Sequence, residues 1–86
     1  MEYNLIFFSG PAHGWLQVPK QLYELVGFKA SQFSYYSDLY FFLEEDCDAT
    51  AFTEAAEKLG IVINVKHNNI QSENFIRKLP QLVRII

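Results

Sequence analysis

The residues whose types could do chemistry fall in three places. His13 and Trp15 lie in and beside the loop Gly10-Pro11-Ala12-His13-Gly14. An imidazole exchanges a proton near neutral pH, and flanking glycines let a ligand come close to the backbone. Beside an indole, it could stack on a ligand, hydrogen-bond it, or act as acid or base. The plainer alternative is a turn, with Trp15 plugging a core and His13 in water. The second place is the run Glu44-Glu45-Asp46-Cys47-Asp48. Its carboxylates could form an acid–base pair with His13, or two of them with His13 could hold a divalent ion. Strand alternation puts Glu44 and Asp46 on one side and Glu45 on the other. The run matches no ligand spacing of a known metal site, so neither metal nor cofactor is assigned. Its plainer role is negative charge at a helix N-terminus. The third place is aromatic and basic. Ser34-Tyr35-Tyr36-Ser37 offers rigid contact area or simply a well-paired hairpin. Arg77 and Lys78 could meet an anionic partner or the acidic run, or end a helix in water. The candidate binding set is therefore His13, Trp15, Tyr35, Glu44, Glu45 and Arg77. Cys47 among acids should have a raised pKa and be a poor nucleophile. With no glycine-rich phosphate loop, serine elbow or HExxH-type helix, no catalytic residue is assigned.

Something must position these groups, and the composition bounds it. Eighty-six residues make one domain, 1–86, since two cores of half that size would each be too small. Half of the residues are hydrophobic, which suffices for a core and excludes disorder as the main state. A net charge of −3 lacks the basic footprint of a general nucleic-acid binder. The single cysteine permits no internal disulfide and fits a reducing cytoplasm. The apolar run Leu5 to Phe8 follows a start without basic residues. It is too short for a signal peptide or a membrane span, so no membrane partner is expected.

Periodicity then places the elements. Residues 4–9 read as a strand apolar on both faces, and Trp15 to Val18 as a short extended piece. Pro19 suits the first turn of a helix carrying Leu22, Leu25 and Val26, with Gly27 as its stop. Residues 32–36 and 39–44 form a hairpin about Ser37-Asp38. Asp48 is a good N-cap for a helix over 49–59, whose stripe is Phe52, Ala55, Ala56 and Leu59 and whose stop is Gly60. Ile61 to Lys66 is a strand and His67-Asn68-Asn69 a polar loop. Ser72 starts a brief helix with Phe75, Ile76 and Leu79 that halts before Pro80. The apolar residues 81–86 should pack on the body as a strand, or on a partner. The class is α+β: an antiparallel sheet of about four to five strands with two helices, mainly on one face. The aromatics of the other face, Tyr36, Tyr40 and Phe42, then need a cover. The C-terminal segment, a second copy or a ligand could supply it.

Three segments carry a resemblance. They are residues 10–19, Phe33-Ser34-Tyr35, and the run from Tyr40 to Ala49. They resemble a group of small bacteriophage and mobile-element proteins that share a Gly-His-Gly-Trp-Leu loop, a Ser-Tyr-Ser-Tyr stretch, a Leu-Glu-Glu-Asp-Cys-Asp run and a late Ile-Arg pair. Ile76-Arg77 would match the last. This chain has Ala12 ahead of His13, reads Ser34-Tyr35-Tyr36-Ser37, and departs from the group at its final segment. The resemblance covers most of residues 10–60. It implies a phage-encoded accessory protein acting in the host cytoplasm. The function expected is a non-catalytic binding module that engages a host protein or a small polar ligand, with anti-defence as one such role. Two alternatives stand beside it. One is a small acid–base or metal-assisted enzyme using His13 with Glu44 or Glu45. The other is a structural protein whose sheet face forms a homodimer.

Overall fold

In the computed structural model, which describes residues 1–82, the doubly apolar first strand lies well inside the sheet. Strand β1 (Glu2–Ser9) pairs antiparallel with β2 (Gly14–Pro19) on one side. Next to β2 comes β4 (Tyr40–Glu44), and beyond it the two-residue β3 (Tyr35–Tyr36). On its other side β1 pairs with β5 (Val62–Asn69), giving the order β3-β4-β2-β1-β5. The class is α+β with five strands, but the sheet is mixed rather than antiparallel, because β5 runs parallel to β1. The cause is the helix between β4 and β5. A chain that leaves β4 through a helix crosses over the sheet and returns in the same direction, as a tight turn cannot. His67, Asn68 and Asn69 extend β5 rather than forming the expected loop.

Helices α1 (Lys20–Val26) and α2 (Thr50–Lys58) pack on one face. Leu5 and Phe7 of β1, Leu16 and Val18 of β2 and Leu43 of β4 point at Leu22, Phe52 and Ala56. Pro19 precedes α1, and Gly27 ends it in the left-handed region at φ 74°, where a residue with a Cβ would be strained. Gly60, at φ 78°, stops the chain after α2 in the same way. The start of α2 differs from expectation. A single π-helical turn, Glu45–Ala49, precedes it, and Asp48 caps nothing. The Asp48 carboxylate instead accepts the Ser31 amide and both the Ser31 and Ser34 hydroxyls, tying down the long loop before β3. Glu44 does the capping, its Oε2 accepting the Cys47 amide at 2.9 Å.

The second face carries Phe8, Trp15, Tyr35, Tyr40 and Phe42, and the chain covers these residues itself. Ile70, Ile76 and Leu79 pack on them through α3 (Asn74–Arg77) and its flanks. The Ser72 hydroxyl accepts the Asn74 amide at 3.2 Å as α3 begins. Beyond α3 the chain runs along β3, with a bridge from Gln81 to Tyr35 and the Leu82 amide donating to Ser34 O at 2.9 Å. Of the segment expected to pack on the body, residues 83–86 lie outside the described residues. Tyr36 is not on this face. The β3–β4 register sets it against Phe41, on the α1 side, where Lys20 lies over both rings. No helix of the described residues is long and apolar enough to cross a membrane. The radius of gyration of 12.2 Å is close to the roughly 12 Å of a single packed chain of this length.

Candidate functional site

Where the edge of the second face meets α3, a cleft of about 120 Å³ opens, lined by His13, Trp15, Phe33, Tyr35, Glu44, Arg77 and Gln81. The sheet register builds one wall. Trp15 of β2 stands directly opposite Glu44 of β4, so both point to the same side. Trp15 is 1 % exposed and also serves as the core plug. Its indole N–H is buried and meets no acceptor among the described residues. Tyr35 meets the indole edge-on, with ring centroids 6.3 Å apart.

The loop Gly10–Gly14 carries His13 to the rim. Gly10 N donates to His13 O at 2.8 Å, closing the turn. Glu73, just before α3, holds the turn from outside. Its Oε2 accepts the Ala12 amide at 2.7 Å and the His13 amide at 3.1 Å, and its Oε1 accepts Arg77 Nε at 2.9 Å. The carboxylate passes so close that a Cβ on Gly10 would lie 2.4 Å from Glu73 Cγ. At Gly14 a Cβ would lie 2.4 Å from the Phe7 ring. The two glycines serve tight packing of the turn rather than unusual dihedrals. The Ala12 amide first, and then Arg77 and the His13 amide, hold the Glu73 carboxyl below the usual carboxylate range, while lost hydration works against them. Glu73 in turn raises the pKa of the Arg77 guanidinium, and Tyr35 adds to this. Arg77 Cζ lies 5.4 Å from the centroid of the Trp15 ring, a cation–π contact.

The two groups suggested as an acid–base pair meet at the other end of the cleft. His13 Nδ1 is 3.9 Å from Glu44 Oε1, and the Glu44 side chain is 11 % exposed. That separation is within ion-pair reach but beyond a hydrogen bond. The His13 and Trp15 rings are tilted, with centroids 6.0 Å apart.

Five of the six candidates, His13, Trp15, Tyr35, Glu44 and Arg77, thus share one cleft. Glu45 does not join them. It starts the π-helical turn, which rotates it to the opposite face, beside Phe7, Thr53 and His67. Among the described residues no three His, Cys, Asp or Glu side chains gather as a metal site, so the grouping of His13 with two carboxylates does not form. Cys47 is exposed, and its thiol is pushed up by lost hydration and then by the Glu44 and Asp48 carboxylates. Phe33, Gln81 and Glu73 were not among the candidates. Glu73 stands four residues before Arg77, a spacing that pairs opposite charges on a helix and was the available signal. Gln81 carries no comparable signal. Comparison with protein-family models, with curated proteins and with solved structures returns no match.

Proposed function

We propose that this chain is a non-catalytic binding module whose cleft takes a small polar group, presented by a host protein or by a free ligand. One observation carries the reading: a carboxylate, an imidazole, a guanidinium and aromatic rings line a single small cleft. Such a volume is well below the ~300 Å³ at which pockets begin to enclose drug-sized molecules. It suits the tip of a side chain or a few heavy atoms. The resemblance of residues 10–19, Phe33-Ser34-Tyr35 and the run from Tyr40 to Ala49 to small bacteriophage and mobile-element proteins is the support for an accessory role in the host cytoplasm, anti-defence included. The covered aromatic face gives no particular support to a homodimer, because the chain supplies the cover that a second copy was invoked to provide.

The test is affinity capture from host cells with the wild-type chain and with His13→Ala and Arg77→Ala. The expected result is a specific partner or ligand lost in both variants. Equal capture by all three chains would overturn the reading.

A second reading is acid–base chemistry by His13 and Glu44, and the 3.9 Å separation between them favours it. It needs a substrate atom between the two groups. Turnover of any substrate that is lost in Glu44→Gln but retained in Glu45→Gln would support it over simple binding.

A further inference from the structure

We propose that the group the cleft recognises is a primary ammonium, either the tip of a lysine on a partner polypeptide or a free alkylamine. This rests on the binding-module reading and specifies its ligand. The argument begins with the charges that line the cleft. Arg77 is already neutralised, since its Nε donates to Glu73 Oε1 at 2.9 Å. Glu44 is not. Its Oε2 accepts the Cys47 amide, and among the described residues the basic side chain within 4.0 Å of its Oε1 is the His13 imidazole, at 3.9 Å, too far to donate a hydrogen bond. Among the described residues, the unmatched charge of the cleft is therefore a nearly buried carboxylate. One of its oxygens, Oε1, has no hydrogen-bond donor among the described residues, and an arriving N–H cation could supply both the donor and the counter-charge.

The rest of the lining agrees. Trp15, Tyr35 and Phe33 present aromatic surface, whose quadrupoles attract cations. The Trp15 ring already carries one cation, the Arg77 guanidinium, at 5.4 Å. An anion would face Glu44 with no free counter-charge among the described residues, since the donor left over, the buried Trp15 indole N–H, is neutral. A quaternary ammonium has no N–H to give the carboxylate. Size selects further. About 120 Å³ is less than half of the ~300 Å³ at which pockets begin to enclose drug-sized molecules. That suits an aminomethyl or aminoethyl tip better than the body of a nucleotide or a ring cofactor.

The experiment is a titration of ¹⁵N-labelled protein, followed by NMR at fixed ionic strength. The probes are n-butylamine, sodium butyrate, tetramethylammonium chloride and a blocked Ala-Ala-Lys-Ala-Ala peptide. Butylamine and the lysine peptide should shift the His13 and Cys47 amides and the Trp15 indole saturably, at least tenfold more tightly than the other two probes. Glu44→Gln should weaken that binding at least tenfold, while Glu45→Gln, on the opposite face, leaves it unchanged. The carboxamide in Glu44→Gln keeps a carbonyl for the Cys47 amide, so the turn should survive. The wild-type selectivity of amine over butyrate tests the proposal without any variant. A peptide more than tenfold tighter than butylamine identifies a partner lysine, and equal affinities identify a free amine. If butyrate saturates the cleft and butylamine does not, the ammonium assignment falls and the binding-module reading stands. If no probe shifts the cleft resonances, the ammonium assignment falls, and the capture experiment alone decides the binding-module reading.

Discussion

The Glu73 carboxylate accepts the Ala12 amide at 2.7 Å, joining two points 61 residues apart in sequence. It also accepts the His13 amide and Arg77 Nε, so one side chain fixes the rim and the far wall of the cleft together. Its folded-state pKa is lowered. The stability this contributes is complete above the ordinary carboxyl pKa of about 4.3 and is lost as the pH falls through the lowered folded value. Urea midpoints from pH 7 to pH 2 should show wild type above Glu73→Gln by a steady margin down to about pH 4.3. The margin should shrink below that. A margin that did not change with pH would show that the carboxylate's charge is not what holds the loop.

Gly10→Ala tests the same junction from the other side. The new Cβ would meet Glu73 Cγ at 2.4 Å and Oε2 at 2.6 Å, and the pinned carboxylate cannot give way without dropping the Ala12 amide. The expected cost is roughly 1–3 kcal/mol, as for other overpacked sites. It should come with faster hydrogen exchange at the Ala12 and His13 amides.

Asp48 is 4 % exposed and takes its donors from Ser31 and Ser34. Asp48→Ala would leave those donors without an acceptor. A loss of about 3 kcal/mol is expected in denaturant unfolding, from a cost of about 1–3 kcal/mol for each buried group left unsatisfied. A double-mutant cycle with Ser34→Ala should show coupling, since Ser34 Oγ also accepts the Glu44 amide at 2.9 Å.

These contacts mark where the sequence was readable. The helix over 50–58 was legible because its apolar spacing and the glycine stop agree. Asp48 misled because an acid before a helix has two possible uses, and the loop serines 14 and 17 residues upstream claimed it. The direction of β5 was not legible either. Alternation says which side chains share a face, but it is silent on whether neighbouring strands run parallel or antiparallel. Within the site, His13, Trp15 and Glu44 stood out as chemistry in unusual surroundings, yet their meeting depends on the β2–β4 register. No local signal sets that register. Tyr36 was assigned to the wrong face because β3 has only two residues, too few to show a period.

Cys47 supplies a prediction that reads Glu44 at a distance. Lost hydration, and then the Glu44 and Asp48 carboxylates, raise its pKa. Because the thiolate is the reacting form, alkylation by iodoacetamide at pH 7.5 should be slower than that of free cysteine. Glu44→Gln should speed it. A rate equal to that of free cysteine in the wild type would show that the acidic turn leaves the thiol unshielded.

The parallel β1–β5 ladder also has a mechanical consequence. Its eight registered pairs run from Glu2 with Val62 to Ser9 with Asn69. Tension applied between the leading end of β1 and the trailing end of β5 loads the whole ladder in shear, so its bonds resist together instead of unzipping singly. The cover over the cleft has no such geometry. An unfolding motor that grips the chain beyond residue 82 would peel away Gln81 and Arg77 before it strained the sheet. The cleft would come apart first, and the sheet would be the last part to yield.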